Sequence, residues 1–184
     1  MIIEGLRIYL RPFEVEDAKW VQEIRNDFDS IKNFAGNPFP SNLVGEKEWI
    51  SKMYPPGERK SIYFAIIDKE SDQFSGYVNA RNINYINRNA EVGGIIHKNA
   101  RRKGYYKDAR ITFYNYLFTQ INLHKLYSTI LSTNEISIEK SKILGFEVEG
   151  LIKEHVFQDG VYKDVYFVSL YKNKFYETVG PIQR

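Results

Sequence analysis

Residues 91–109 read EVGGIIHKNARRKGYYKDA, and three patterns follow one another in this stretch. The short apolar run that begins at Glu91 and ends at Ile96 predicts a strand, and an apolar stripe at helical spacing predicts a helix from Tyr105 to Ile121. The first backbone N–H groups of a helix have no partner within the helix, and the helix dipole adds partial positive charge there. A strand that leads through a turn into such a helix therefore predicts a site for an anion.

The turn between the strand and the helix carries features that suit phosphate. Gly104 lets a ligand approach the backbone closely. The cations that can pair with phosphate are Arg101, Arg102, Lys103 and Lys107. The chain has neither a Gly-x-x-x-x-Gly-Lys-Ser/Thr loop nor a Gly-x-Gly-x-x-Gly fingerprint, so the common nucleotide-binding loops are excluded. From these residues alone, a phosphate site and a solvated basic turn both stay open.

Strand and helix patterns surround this stretch along the whole chain. Apolar runs between turn-forming residues predict strands at 6–10, 62–67, 74–81, 91–96, 125–131, 146–157 and 161–170. Asp159-Gly160 predicts a tight hairpin between the last two. Helical spacing predicts helices at 16–25, 45–54, 105–121 and 135–144, and a loop is expected at 33–42. The pattern is that of a mixed α/β domain.

Composition restricts the classes of protein that fit. A chain of 184 residues, 43% of them hydrophobic, predicts a single domain over residues 1–184, with 175–184 as a candidate loose tail. A net charge of +3 is too small for a dedicated duplex-binding surface, so nucleic acid is not the expected partner. There is no cysteine, no His-x-x-x-His pair and no long apolar run, so we expect no metal site, no membrane span and a cytoplasmic location.

The turn also resembles a motif of the GNAT superfamily of acyl-CoA-dependent N-acetyltransferases. Arg101-Arg-Lys-Gly-Tyr-Tyr106 is similar to the family's phosphate loop, Gln/Arg-x-x-Gly-x-Gly/Ala, which lies between a strand and a helix. Tyr106 departs from it, because the family prefers glycine or alanine at that position. The resemblance implies that the loop binds acetyl-CoA, and that either the loop is shifted or the tyrosine ring packs outward.

A second block, Asn134 to Phe146, resembles the family's Asn-x-x-Ser/Ala-(x)7-Gly-Phe. Leu6-Arg-x-Tyr-Leu-Arg-Pro12 and Glu149-Gly150 are similar to the branch that contains ribosomal-protein N-terminal acetyltransferases and spermidine N-acetyltransferases. The resemblance implies a central mixed, mostly antiparallel sheet of six to seven strands with about four helices. The cofactor-binding residues that it implies are Ile95, Ile96, His97, Arg101, Arg102, Lys103, Gly104, Tyr105, Tyr106, Lys107, Asn134 and Ser137.

Acetyl transfer from a thioester to an amine needs a neutral amine, a held carbonyl group and a proton for the departing thiolate. The resemblance assigns the carbonyl to backbone N–H groups of Ile95, Ile96 and His97, an oxyanion-type arrangement. Glu91 shares a strand face with Ile95 and His97 because side chains alternate along a strand. In some relatives a carboxylate at this position serves as the base through water. A glutamate in a surface ion pair is the alternative interpretation.

Ser141 stands where many relatives place a tyrosine as the general acid. A serine hydroxyl is a poor acid unless a neighbour relays the proton, so we expect a relay or, alternatively, an ordinary helix serine. Tyr105, Tyr106 and Tyr127 are other candidates for the acid.

The function implied by the resemblance is direct transfer of an acetyl group from acetyl-CoA to a primary amine, on a protein N-terminus or a small polyamine. The alternatives are an amino-sugar or antibiotic N-acetyltransferase, a CoA-binding domain without turnover, and a module that binds nucleic acid through its cations and tyrosines. A homo-oligomer is open. The family analogy places the acceptor groove in residues 27–42 and 77–88.

Overall fold

The computed structural model describes residues 1–33, 39–55, 57, 59–180 and 182. Its strands are β1 (Ile3–Glu4), β2 (Ile8–Arg11), β3 (Ile62–Asp68), β4 (Phe74–Asn84), β5 (Asn89–Ile96), β6 (Lys125–Leu131), β7 (Glu147–Gln158) and β8 (Val161–Tyr171). Its helices are α1 (Ala18–Asn26), α2 (Phe28–Ile31), α3 (Leu43–Ser51), α4 (Tyr105–Thr119), α5 (Glu135–Lys142) and α6 (Lys172–Val179). Short 3-10 turns lie at Val15–Asp17 and Lys98–Ala100.

The eight strands form one sheet in the order β1-β2-β3-β4-β5-β6-β8-β7. Neighbouring strands are antiparallel except β5 and β6, which are parallel. Parallel neighbours need a crossover connection, and α4 supplies it. The expected mixed, mostly antiparallel α/β fold is confirmed. Among the described residues the sheet has eight strands, one more than the upper end of the expected range, and there are six α-helices, two more than expected.

Both faces of the sheet are covered, because successive residues of its central strands point to opposite sides. In β3, Phe64 and Ile66 pack in the core that includes α4 and α6, whereas Ala65 and Ile67 pack in the core that includes α1 and α3. β5 divides in the same way: Val92 lies in the first core and Ile95 in the second. The sheet is therefore the middle of three layers.

The chain follows its local signals closely at the C-terminal hairpin. Asp159 and Gly160 have φ of 55° and 78°, the left-handed pair that a type I′ turn requires, and they join β7 to β8.

The end of the chain differs from the expectation. Residues 172–179 form α6 with Phe175 completely buried, so the expected loose tail does not begin at 175. Half of the expected loop at 33–42 lies outside the described residues, since 34–38 are not among them.

Candidate functional site

The strands β5 and β6 stay paired over three residue pairs only, from Asn89↔Lys125 to Glu91↔Tyr127. Both strands continue beyond that point, β5 to Ile96 and β6 to Leu131. They therefore diverge, and the β5 edge that faces β6 carries backbone groups that β6 does not pair. An exposed strand edge of this kind can hydrogen-bond an extended ligand that carries amide groups. We call the space between the two diverging strands the cleft.

The register between β4 and β5 decides which backbone groups face the cleft. The N–H of His97 donates to the carbonyl of Ser75 at 2.9 Å, on the β4 side. Hydrogen-bonding direction alternates along an antiparallel pair, so Ile95, opposite Tyr77, also faces β4, while Gly94 and Ile96 face the cleft. This corrects the expectation that the N–H groups of Ile95, Ile96 and His97 act together: Ile96 is the one of the three whose N–H points into the cleft.

Tyr106 packs inward against this edge. Its hydroxyl donates to the carbonyl of Gly94 at 3.0 Å. A Cβ atom added to Gly94 would lie 3.1 Å from the Tyr106 ring and 2.6 Å from the carbonyl oxygen of Tyr77, so glycine is what permits the contact. Burial raises the pKa of the Tyr106 hydroxyl to about 12, so the hydroxyl remains a donor at neutral pH. Of the two alternatives that the resemblance implied, a shifted loop or an outward ring, the outward ring is therefore wrong.

The turn before α4 has the geometry of an anion site. Gly104 is the N-cap of α4 with φ of 81°, and Arg102 before it also has a positive φ of 65°. The N–H of Asp108 donates to the Gly104 carbonyl, so the three preceding amides, in residues 105–107, lie before the first hydrogen bond of the helix. Among the described residues, a Cβ at Gly104 would meet only the Arg7 guanidinium, at 3.8 Å, so they leave the space above the turn open. The arrangement suits a phosphate group.

The basic side chains around the turn divide into two groups. The guanidinium of Arg101 is already held, donating to Ser30 Oγ at 2.6 Å and lying 3.6 Å from Asp27. The exposed cations around the turn that make no ion pair among the described residues are Arg102, Lys103 and Lys107, together with Arg7, whose guanidinium donates to the Lys103 carbonyl at 3.1 Å. Arg101 therefore anchors the turn to α2, and the cations without an ion pair are the ones that can reach a ligand.

Tyr105 takes no part in the surface of the turn. Its side chain is buried in the core beneath α4. Burial, together with a hydrogen bond to Asp68, raises the pKa of its hydroxyl. Tyr105 and Tyr106 can thus contribute backbone amides to a phosphate, but their rings belong to the protein interior.

Asn134 and Ser137 lie together at the start of α5. The Asn134 side chain is the N-cap, accepting a hydrogen bond from the Ser137 N–H at 3.1 Å. Its amide nitrogen donates to the carbonyl of Asn33 at 3.2 Å. The pair fixes the start of the helix that carries Ser141, and both partners of the Asn134 side chain are protein groups.

Glu91 lies at the closed end of the cleft, where β5 is still paired with β6. Its two carboxylate oxygens accept hydrogen bonds from Arg81 at 2.7 Å and from Asn82 at 3.0 Å. The side chain is 21% exposed. These contacts fix the orientation of the carboxylate. The pair with Arg81 is the ion pair that the sequence analysis gave as the alternative to a catalytic base.

His97 is a packing residue in this structure. Its ring is buried, contacts Trp20 edge-on and lies 3.1 Å from the Glu23 carboxylate through Nε2. Nδ1 accepts from the N–H of Asn99 at 3.4 Å. The ring therefore faces α1, away from the cleft.

A buried arginine beside Ser141 was missed by the sequence analysis. Arg110 donates from Nη2 to Ser141 Oγ at 3.2 Å and from Nε to the Tyr114 hydroxyl at 2.9 Å. A signal for it exists in the sequence, because Arg110 lies three, four and seven residues before Phe113, Tyr114 and Leu117 on the buried side of α4. A charged residue on such a stripe is unusual and indicates a buried polar site.

The described residues hold neither a metal-binding cluster nor a membrane-spanning helix. No cluster of three or more histidine and carboxylate side chains there is arranged to hold a metal ion. No helix among the same residues combines the length and the hydropathy that a membrane-spanning helix needs.

Comparison with known proteins gives a consistent picture. The profile of the family described as "Acetyltransferase (GNAT) domain" matches residues 7–147. The spermidine N(1)-acetyltransferase of Escherichia coli K12 is 26% identical over 91% of this chain and 88% of its own length. The uncharacterised N-acetyltransferase p20 of Bacillus licheniformis is 29% identical over 92% of this chain and 95% of its own. The crystal structure of spermidine N-acetyltransferase from Vibrio cholerae, in complex with CoA and spermine, superimposes with a TM-score of 0.84 at 25% identity, covering 92% of this chain and 98% of that one.

Proposed function

The chain belongs to the GNAT acetyltransferase family, and from this premise we propose that it transfers the acetyl group of acetyl-CoA to a primary amine of a small polyamine. The observation that carries the proposal is the combination of the cleft edge of β5 with the glycine turn that opens α4. A ligand with an acyl-amide arm and a pyrophosphate needs both features, one for each end. A protein N-terminus is the second acceptor in view.

The residues that would bind the donor follow from the orientations above. The three amides of residues 105–107, with Arg102, Lys103 and Lys107 around them, would bind the pyrophosphate. The Ile96 N–H faces the cleft and would hold the thioester carbonyl as negative charge develops on its oxygen. Ser141 would pass a proton to the sulfur that leaves.

The acceptor amine must lose a proton, and its identity is inferred from the relatives. Glu91 would assist removal of a proton from the attacking nitrogen, since its carboxylate lies on the same strand as Ile96 and is held in place by Arg81 and Asn82. Two of the compared proteins are named as spermidine acetyltransferases, which supports a polyamine over the other amines that the sequence left open.

The experiment is release of free thiol from acetyl-CoA with the purified chain and a panel of amines: spermidine, spermine, a peptide with a free N-terminus and an amino sugar. We expect the polyamines to give the highest kcat/KM. A preference for the peptide would reassign the acceptor. Binding of acetyl-CoA without thiol release from any of these amines would reject catalysis on them and favour a binding domain.

A further inference from the structure

Arg110 places a positive charge inside the protein. The residue is 7% exposed, and its guanidinium lies 5.3–5.5 Å from the ring centres of Tyr106, Tyr114 and Phe146. Its two side-chain hydrogen bonds go to hydroxyl groups, those of Tyr114 and Ser141. Among the ion pairs of the described residues, none includes Arg110.

An arginine in such surroundings is costly to keep. The guanidinium is not deprotonated in proteins, so the charge stays on burial. Buried charges are normally paired, and exchanging them for apolar residues of similar volume is often neutral or stabilising. Contacts with aromatic ring faces offset part of the cost. A buried cation without a carboxylate is therefore complementary to an anion that the protein does not itself supply.

The place of the Arg110 guanidinium in the fold indicates which anion it serves. Arg110 lies over the ring of Tyr106, whose hydroxyl bonds Gly94 on the cleft edge of β5, and it contacts Ser141 on α5. The cluster therefore borders the cleft. In acetyl transfer, the group that gains negative charge and must be protonated is the sulfur of the leaving thiol.

We propose that Arg110 is a positioning residue that makes Ser141 a proton donor toward the leaving sulfur, an inference that rests on the proposed function. Because Ser141 Oγ accepts a hydrogen bond from Arg110, its own hydrogen cannot point along that direction and is free for the sulfur. The positive charge stabilises electron density on Oγ as its proton leaves for the sulfur.

The amine nitrogen attacks the carbonyl carbon, the C–N bond forms, and the C–S bond breaks with its electron pair going to sulfur. The Ser141 proton passes to sulfur, and Glu91 takes the proton that the nitrogen loses. Glu91 then releases that proton to solvent, and Oγ regains one from solvent. The products are the N-acetylated amine and the free thiol, and serine is regenerated. Arg110 keeps its proton throughout.

The test uses Arg110→Met, Arg110→Lys and an exposed control, Arg88→Met. The Arg88 guanidinium bonds Asn122 before the starts of β5 and β6, at the opposite end of these strands from the cleft. We expect Arg110→Met to lower the single-turnover rate of acetyl transfer by roughly 10–100-fold. Its Kd for acetyl-CoA should stay within about twofold of the parent, and its melting temperature should not fall, because methionine suits the aromatic surroundings. Arg110→Lys should recover part of the rate by restoring the charge. Arg88→Met should transfer acetyl groups like the parent.

A double-mutant cycle with Ser141→Ala completes the test. If Arg110 acts through Ser141, the double variant should be no slower than Ser141→Ala alone. An Arg110→Met variant as fast as the parent would overturn the inference. So would a slow variant whose loss adds fully to that of Ser141→Ala and is accompanied by weaker donor binding and a lower melting temperature. A parent chain that transfers no acetyl group would instead sink the proposed function.

Discussion

The Tyr106 hydroxyl donates a hydrogen bond to the carbonyl of Gly94, 3.0 Å away, on the edge of β5 that faces the cleft. A tyrosine at a position where the family resemblance implies glycine or alanine thus uses a backbone acceptor that an incoming amide N–H could otherwise reach. Its hydroxyl is protonated at neutral pH, because burial raises its pKa to about 12. The Tyr106 side chain therefore competes with acetyl-CoA, the proposed acetyl donor, for the Gly94 carbonyl.

Tyr106→Phe should therefore bind acetyl-CoA several-fold more tightly than the parent, because the Gly94 carbonyl becomes available. The same change should lower the free energy of unfolding by about 1 kcal/mol, the usual size of a lost hydrogen bond. Calorimetric titration with acetyl-CoA and thermal melts measure the two effects. Unchanged or weaker binding would show that the donor does not use this carbonyl.

Gly104→Val should weaken acetyl-CoA binding by at least tenfold. The backbone at Gly104 has φ of 81°, which a β-branched residue adopts with strain, and a side chain would enter the open space above the turn. Gly160→Val is a matched control, since Gly160 has φ of 78° and open space around it, but lies in the β7–β8 turn.

Both valine variants should lose comparable stability, and only the one at 104 should lose affinity for the donor. Calorimetry on the two proteins decides the matter. Equal affinities would place the phosphate away from this turn.

Glu91→Gln should reduce turnover by roughly 10²–10⁴-fold, the range typical of general acid–base groups, with little change in acetyl-CoA affinity. Glutamine keeps the size of the side chain and can still accept a hydrogen bond from Arg81 or Asn82, so the local structure should persist. Steady-state kinetics with the preferred amine provide the measurement. A variant within about twofold of the parent would leave Glu91 with the structural ion pair alone.

The ion pair between Glu149 and Lys125 predicts a pH-dependent stability. Hydrogen bonds from Lys125 at 2.7 and 2.9 Å lower the pKa of the Glu149 carboxyl, and the Tyr171 hydroxyl adds a third contact. A carboxyl whose pKa is lower in the folded chain stabilises it above the pKa of the unfolded state, and this stability is lost as the pH falls through the folded value.

Glu149→Gln should therefore lower the melting temperature at pH 7 by about 2 °C, for a pair of about 0.5–1 kcal/mol, and by progressively less as the pH falls below about 4. Thermal melts of the parent and the variant between pH 3 and 7 measure the difference. A difference that stays constant over this interval would contradict the ion-pair origin.

Local signals were enough where the chain decides its structure over a few residues. The strand at 125–131 and the hairpin turn at Asp159-Gly160 follow directly from apolar runs and from residues that tolerate positive φ. α6 was not predicted, because its helical form depends on burying Phe175 among residues distant in sequence. α2, with four residues, is too short to show a periodic pattern.

The sequence by itself determined the family resemblance and the glycine turn, because the order and spacing of Arg101, Gly104, Asn134 and Gly145 are properties of the chain alone. Only the tertiary structure decided which groups face the cleft. The pairing of β5 with β4 turns the amides of Ile95 and His97 toward β4, and a register is set by packing between strands rather than by either strand. Likewise, Arg110 and Ser141 are 31 residues apart on two helices, and their contact exists because α4 and α5 pack on the same side of the sheet.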